Sequence, residues 1–221
     1  MDAQPAAART QAPRCYQVLR DRIMLGALAP LEKLKIAELA EEFEVSPGAV
    51  REALSRLTTE NLVCAVDQRG FRVAPISLDD LDDLTRTRLQ IEELALRQSV
   101  ARGDAAWEAA LRAAYAAMQA HPPRPADHLA AELHAGFHTA LVAGCGSATL
   151  LRIRTQLYDL SERYRALAAM RAAATRPVAD EHAAIFRAVL ARDADTAVAA
   201  LCGHISLTTE LVRGVVMSHS D

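Results

Sequence analysis

The sequence predicts a mainly α protein in two parts: a winged helix-turn-helix of three helices and a two-stranded wing, then an all-α antiparallel bundle of six helices. Three observations lead there. Of the 221 residues 51% are hydrophobic but only 4% aromatic, with alanine and leucine throughout, a composition that favours helices. Apolar residues recur at helical spacing along most of the chain, between breaks at Gly and Pro. Alternation of the strand type appears in LVCAVDQRGFRVAP, directly after three helical segments.

Residues 1 to 10 lack the apolar stretch of a secretion signal and read as a flexible tail ahead of a domain over 11 to 76. In YQVLRDRIMLGAL (16 to 28), Val18, Leu19 and Ile23, with Met24 or Leu25, lie at near-helical spacing and Gly26 stops the helix. LEKLKIAELAEEFEV sets Leu34, Leu39, Ala40 and Phe43 on one side and acidic residues on the other, a second helix. In VSPGAVREALSRLTTENLV, Ser46 suits an N-cap, Pro47 the first helical position, and Val50, Leu54 and Leu57 an inward stripe. Leu62, Cys64 and Val66 then alternate, DQRG turns, and Phe71 and Val73 complete a two-stranded hairpin closed by Pro75. From 77 to 221, six helical segments are separated by Gly103, HPPRP (121 to 125), GCGS (144 to 147), TRP (175 to 177) and RDAD (192 to 195). Short connections without a fixed period make these an antiparallel bundle rather than a repeat array.

Net charge is −3, which argues against a strongly basic nucleic-acid binder taken as a whole. The charge is unevenly distributed. Both lysines, Lys33 and Lys35, fall in the first domain, and all seven histidines in the second. No segment approaches the roughly 20 apolar residues of a membrane span. Cys15, Cys64, Cys145 and Cys202 form no CxxC pair, so thiols in a reducing cytoplasm are expected, with no membrane partner.

Architecture alone leaves open a small helical domain with a β-flap and no nucleic-acid role. The third helix argues otherwise. Gly48, Arg51 and Ser55 lie opposite its apolar stripe, so one long guanidinium stands among small residues that permit close approach to a groove. Arginine is the commonest bidentate reader of guanine, and Ser46 with the helix N-terminus can hold a phosphate. Lys33 and Lys35 stand just ahead of the second helix, where phosphate contacts are usual, and Arg69 stands at the hairpin tip, within reach of a minor groove. For each charge alone, a solvated face is the competing reading.

In the second domain LHAGFH carries His134 and His138 at i and i+4, on one helical face. Such a pair by itself is more often packed or exposed by accident. His182, after Asp180 and Glu181, and His204 in the last helix change the balance, because three facing helices can then bring imidazoles to one point. Neutral imidazole suits a divalent metal, Zn²⁺ first, with Ni²⁺ or Co²⁺ as alternatives. His121, His128 and His219 lie in or near a loop, an early helical turn and the tail, and have no comparable role.

The run GALAPLEKLKIAELAEEFEVSPGAVREALSRLTTENLV, followed by QRGFRVAPIS, resembles the DNA-binding half of the GntR family of bacterial transcription factors. That resemblance implies base contact by Arg51, contacts by Ser46, Pro47 and Gly48 just before it, and a wing-tip contact by Arg69. Pro47 stands where some members have an arginine. FH, EH and a final H, separated by 44 and 22 residues, are similar to the FCD effector domain of the FadR-like branch, a helical bundle with a metal in its cavity. The usual three histidines map to His138, His182 and His204, and the usual Asp position holds His134. The resemblance further implies that Arg88 faces the cavity as a carboxylate clamp and that Tyr164 lines it; an ordinary ion pair with Glu92 is the alternative for Arg88. FHTALVAGCGS and LYDLSERYR are similar to the glutarate-responsive CsiR (GlaR) type within this branch, which implies a short dicarboxylate effector.

The functional expectation is a cytoplasmic DNA-binding regulator, a homodimeric repressor whose affinity for double-stranded operator DNA changes when a small carboxylate binds at the metal. A metal-dependent hydrolase using the four histidines is the alternative. It lacks the general base that an HExxH glutamate supplies, since no carboxylate lies inside LHAGFH.

Overall fold

The computed structural model describes residues 6–66, 70–121, 128–169 and 176–217. The chain forms two compact units, one of residues 1–77 with 162–167, the other of 78–161 with 168–221. Among the described residues there are nine α-helices and one three-stranded sheet.

In the first unit α1 (Ala6–Met24) and α2 (Ile36–Glu42) pack on α3 (Pro47–Thr59). α1 begins well ahead of the expected start at Tyr16. Pro13 lies inside α1 with its ring exposed, while Ala12, Cys15, Tyr16, Leu19 and Ile23 form a buried stripe around it. α3 is built as its sequence dictates. The Ser46 hydroxyl accepts from the Ala49 backbone N–H at 3.2 Å, Pro47 opens the helix, and Val50, Leu54 and Leu57 are fully buried.

The sheet corrects the expected two-stranded wing. β2 (Val63–Val66) and β3 (Gly70–Val73) pair antiparallel as anticipated, and β1 (Lys33–Leu34) pairs with the other edge of β3, giving the order β1-β3-β2. Leu34 therefore belongs to a strand and not to the second helix. It is buried opposite Phe71. A two-residue strand is too short to show an alternating pattern, so its apolar residue reads as part of the neighbouring helical stripe.

The second unit contains α4 (Leu78–Arg102), α5 (Ala105–Ala120), α6 (His128–Val142), a 3₁₀ turn (Ala143–Cys145), α7 (Ala148–Ala169), α8 (Val178–Leu190) and α9 (Ala194–Met217). These are the six expected helices. α9 packs along both α4 and α8, and α5 pairs with α6. Leu96, Leu111, Phe137, Leu141, Ile185 and Leu201 fill the centre. Trp107 fixes the register of α6: its indole N–H donates to the carbonyl of Ala140 at 2.8 Å, and its ring lies so close to Gly103 that a Cβ there would approach it to 2.0 Å. No helix among the described residues is long and apolar enough to cross a membrane.

Candidate metal centre and nucleic-acid interface

Helical spacing puts His134 and His138 on one face of α6, their ring centroids 4.5 Å apart. α8 brings His182 and α9 brings His204 to the same point. The His138 and His204 rings lie at 5.2 Å, His182 and His204 at 4.7 Å, and His134 and His182 at 5.1 Å. One nitrogen of each ring can be chosen so that all four lie within 4.8 Å of one another. Nitrogens around a tetrahedral ion at ordinary Zn–N distances lie about 3.4 Å apart, so the four rings are already gathered at one point and would draw together further around a cation.

The donor chemistry fits an ion as well. His138 is 1% exposed and His182 4%. Both ring nitrogens of His138 and Nε2 of His182 are buried without a hydrogen-bond partner. Orphaned polar atoms of this kind are costly in a protein interior, about 1–3 kcal/mol each, and mark places where a water or ion belongs. Burial, reinforced by the neighbouring imidazoles, pushes His138 well below its ordinary pKa and His182 down to about 4. Burial also lowers His204, against the opposing pull of Glu181. These three imidazoles are therefore neutral at pH 7, with lone pairs available to a metal.

Other side chains set the orientation of two of the rings. Glu181 Oε2 lies 2.8 Å from His204 Nδ1. Burial raises the Glu181 pKa, but hydrogen bonds from Arg176 and His204 outweigh it, and the carboxyl is held below its ordinary value. Ionised Glu181 accepts the Nδ1 proton of His204 and leaves Nε2 with a lone pair that a metal could take. Arg176 holds this arrangement, donating to Glu181 through Nε at 2.6 Å and through Nη2, to the His204 carbonyl at 2.9 Å and to Thr208 Oγ1 at 2.8 Å. The Tyr158 hydroxyl lies 3.1 Å from His134 Nδ1. Sequence reading missed Tyr158, Glu181 and Arg176. EH at 181–182 was the one available signal, since it sets a carboxylate beside a candidate ligand.

Arg88 and Tyr164 were the expected effector contacts. Arg88 is 7% exposed and donates to Glu92 at 3.4 Å, and its guanidinium packs on the Tyr158 ring at 4.9 Å. The ion pair with Glu92 is present, and the Tyr158 ring on which Arg88 packs lies 5.9 Å from that of His138. Tyr164 is buried, and its hydroxyl donates to the Ser77 carbonyl at 3.3 Å within the first unit. Tyr158, from the same LYDLSERYR segment, is the tyrosine brought against the histidines.

The outward face of α3 carries Pro47, Gly48, Arg51 and Ser55, all exposed, with Ser46 exposed at its N-cap. Arg20 and Arg56 are tied to Glu60, and Arg22 to Glu42, whereas Arg51 has no carboxylate partner among the described residues. A Cβ on Gly48 would meet nothing closer than Ser46 Oγ at 3.8 Å, so the fold does not require glycine there. Lys33 is exposed in β1 opposite Arg72, and Lys35 is exposed with its ammonium 2.6 Å from Glu38. Arg69 lies outside the described residues.

Comparison with known proteins agrees with both halves. Residues 11–73 match the family described as bacterial regulatory proteins, gntR family, and residues 83–207 match the FCD domain. The chain belongs to the GntR family and carries an FCD domain. It is 42% identical to the HTH-type transcriptional regulator BphR of Paraburkholderia xenovorans, over 96% of this chain and 90% of that one. It is 37% identical to the HTH-type transcriptional repressor GlaR of Escherichia coli, over 80% of this chain and 84% of that one. The structure of E. coli McbR/YncC matches its fold with a TM-score of 0.78 at 20% identity, over 92% of this chain and 97% of that one. This GntR protein is therefore a transcriptional regulator and not an enzyme, and the hydrolase alternative falls.

Proposed function

We propose that this GntR regulator is a cytoplasmic homodimeric repressor of a carboxylic-acid catabolic operon, and that a small organic acid bound at a metal in the FCD domain changes its affinity for operator DNA. The observation that carries the sensor half is the set of buried, partnerless nitrogens on His138 and His182 within a four-imidazole cluster. His134, His138, His182 and His204 hold the metal, Zn²⁺ in the first instance and Ni²⁺ or Co²⁺ otherwise. When bound, the metal supplies a Lewis-acidic position for a carboxylate oxygen. With His134 in place of the family's aspartate the ligand set carries no negative charge, which favours an anionic ligand. Arg88 on the Tyr158 ring offers a guanidinium to that ligand, and Tyr164 is kept as a second effector contact on the family resemblance alone. The similarity to GlaR and to glutarate-responsive regulators supports repression and a short dicarboxylate such as glutarate.

The DNA half rests on Arg51 as the base reader, with Ser46, Pro47 and Gly48 at the helix start, Lys33 and Lys35 on phosphates, and Arg69 at the wing tip. A homodimer presents two such helices to half-sites about one turn apart, roughly 34 Å. Elemental analysis of wild type and His182→Ala tests the metal site. About one metal per chain in wild type and a clear loss in the variant is expected, and equal metal in both would overturn the assignment.

A further inference from the structure

Close to the histidines the bundle buries three charged side chains, Arg88 on α4 at 7% exposure, Glu92 on α4 at 1% and Arg154 on α7 at 2%. Arg154 donates to Glu92 at 2.9 Å and Arg88 donates to the same oxygen at 3.4 Å. Among the described residues no other carboxylate pairs with either arginine, so two buried guanidiniums share one anion and a positive charge is left over. Arg154 reaches only one further acceptor, Thr139 Oγ1 at 3.3 Å, and its Nη2 is buried without a partner, as is the second oxygen of Glu92, so neither charge in this pair has its full set of hydrogen bonds. A buried charge without a full set of partners is expensive, and proteins keep one where it meets a ligand.

The surplus charge borders the metal centre. The guanidiniums of Arg154 and Arg88 both pack on the Tyr158 ring, at 4.5 and 4.9 Å, and the Tyr158 hydroxyl reaches His134. The Tyr158 ring lies 5.9 Å from that of His138. Imidazoles add no charge when neutral, so a divalent ion among them brings the buried region to three positive charges. A monocarboxylate would leave two of these uncompensated and a dianion one.

We propose that Arg154, alongside Arg88, forms a second anion site that holds the far carboxylate of a short dicarboxylate whose near carboxylate lies at the histidines. This rests on the carboxylate-sensing reading above and adds to it the residue that separates dianions from monoanions. The unpartnered Nη2 supplies one arm of the fork, and bidentate pairing with a carboxylate is the geometry that guanidinium favours.

Calorimetric titration of the metal-loaded full-length protein with glutarate and with pentanoate, an acid of equal chain length lacking the second carboxylate, tests this. Wild type should bind glutarate at least 30-fold more tightly. Arg154→Gln leaves Glu92 paired one to one with Arg88, so folding should survive; glutarate affinity should fall 10- to 100-fold while pentanoate affinity and metal content stay within twofold. Arg154→Lys keeps the charge without the fork and should lose three- to tenfold for glutarate alone. Equal binding of the two acids by wild type, an unchanged preference in Arg154→Gln, or wild-type affinity in Arg154→Lys would overturn the second site while leaving the sensor reading intact. Failure of wild type to bind either acid would overturn both.

Discussion

The outward face of α3 and the histidine cluster are opposites in physical terms. On α3 the proposed DNA-contacting groups are exposed, Arg51 has no carboxylate partner among the described residues, and nothing in the fold asks for Gly48. The fold is carried by the other face, through Val50, Leu54 and Leu57. In the bundle the proposed metal ligands are themselves part of the interior. His138, His182 and His204 are buried among core side chains, while half-buried Glu181 orients His204 and buried Tyr158 orients His134. Function and stability are therefore separable on α3 and entangled in the bundle.

The largest effect that sharpens this contrast is expected from His138→Ala. Metal affinity should fall by more than 100-fold, because a ligand is lost from a four-imidazole set, and the thermal midpoint should become insensitive to added Zn²⁺. Arg51→Ala belongs to the opposite class. Operator affinity measured by anisotropy should drop on the order of 10- to 100-fold, the worth of one bidentate base contact, with metal content and thermal midpoint unchanged. Glu181→Gln should weaken metal binding about tenfold or more through loss of the carboxylate that orients His204, while the metal-free protein melts within a few degrees of wild type. A matching loss of stability without metal would make Glu181 a structural residue instead. The smallest effect is at the cap. Ser46→Ala should cost about 1 kcal/mol of stability in denaturant unfolding, because the hydroxyl proposed to contact DNA also caps the helix.

The same contrast governs what could be read in the sequence. Ser46, Pro47 and the Val50, Leu54, Leu57 stripe are local signals, decided within a few residues of one another, and all stand where they were expected. The four histidines were legible because LHAGFH, EH and GH fall on helices that must pack together. Their supporting groups were not. Arg154 finds Glu92 62 residues away, and His134 finds Tyr158 24 residues away, and no local pattern announces such pairs. Tyr158 and Tyr164 are six residues apart on α7, which turns them about 240° from each other around the helix. Periodicity says that they face differently, but the packing partners alone decide which one meets the histidines. β1 escaped for a different reason, since two residues that pair with β3 carry no periodicity at all.

The histidine centre is expected to control DNA binding. Operator affinity should be measured by anisotropy on one preparation, metal-loaded and chelator-stripped, each with and without glutarate. Glutarate should weaken operator binding at least fivefold when metal is loaded and leave it unchanged when metal is stripped. A glutarate effect of equal size in both states, or none in either, would contradict the claim that the acid acts through a metal held by His134, His138, His182 and His204.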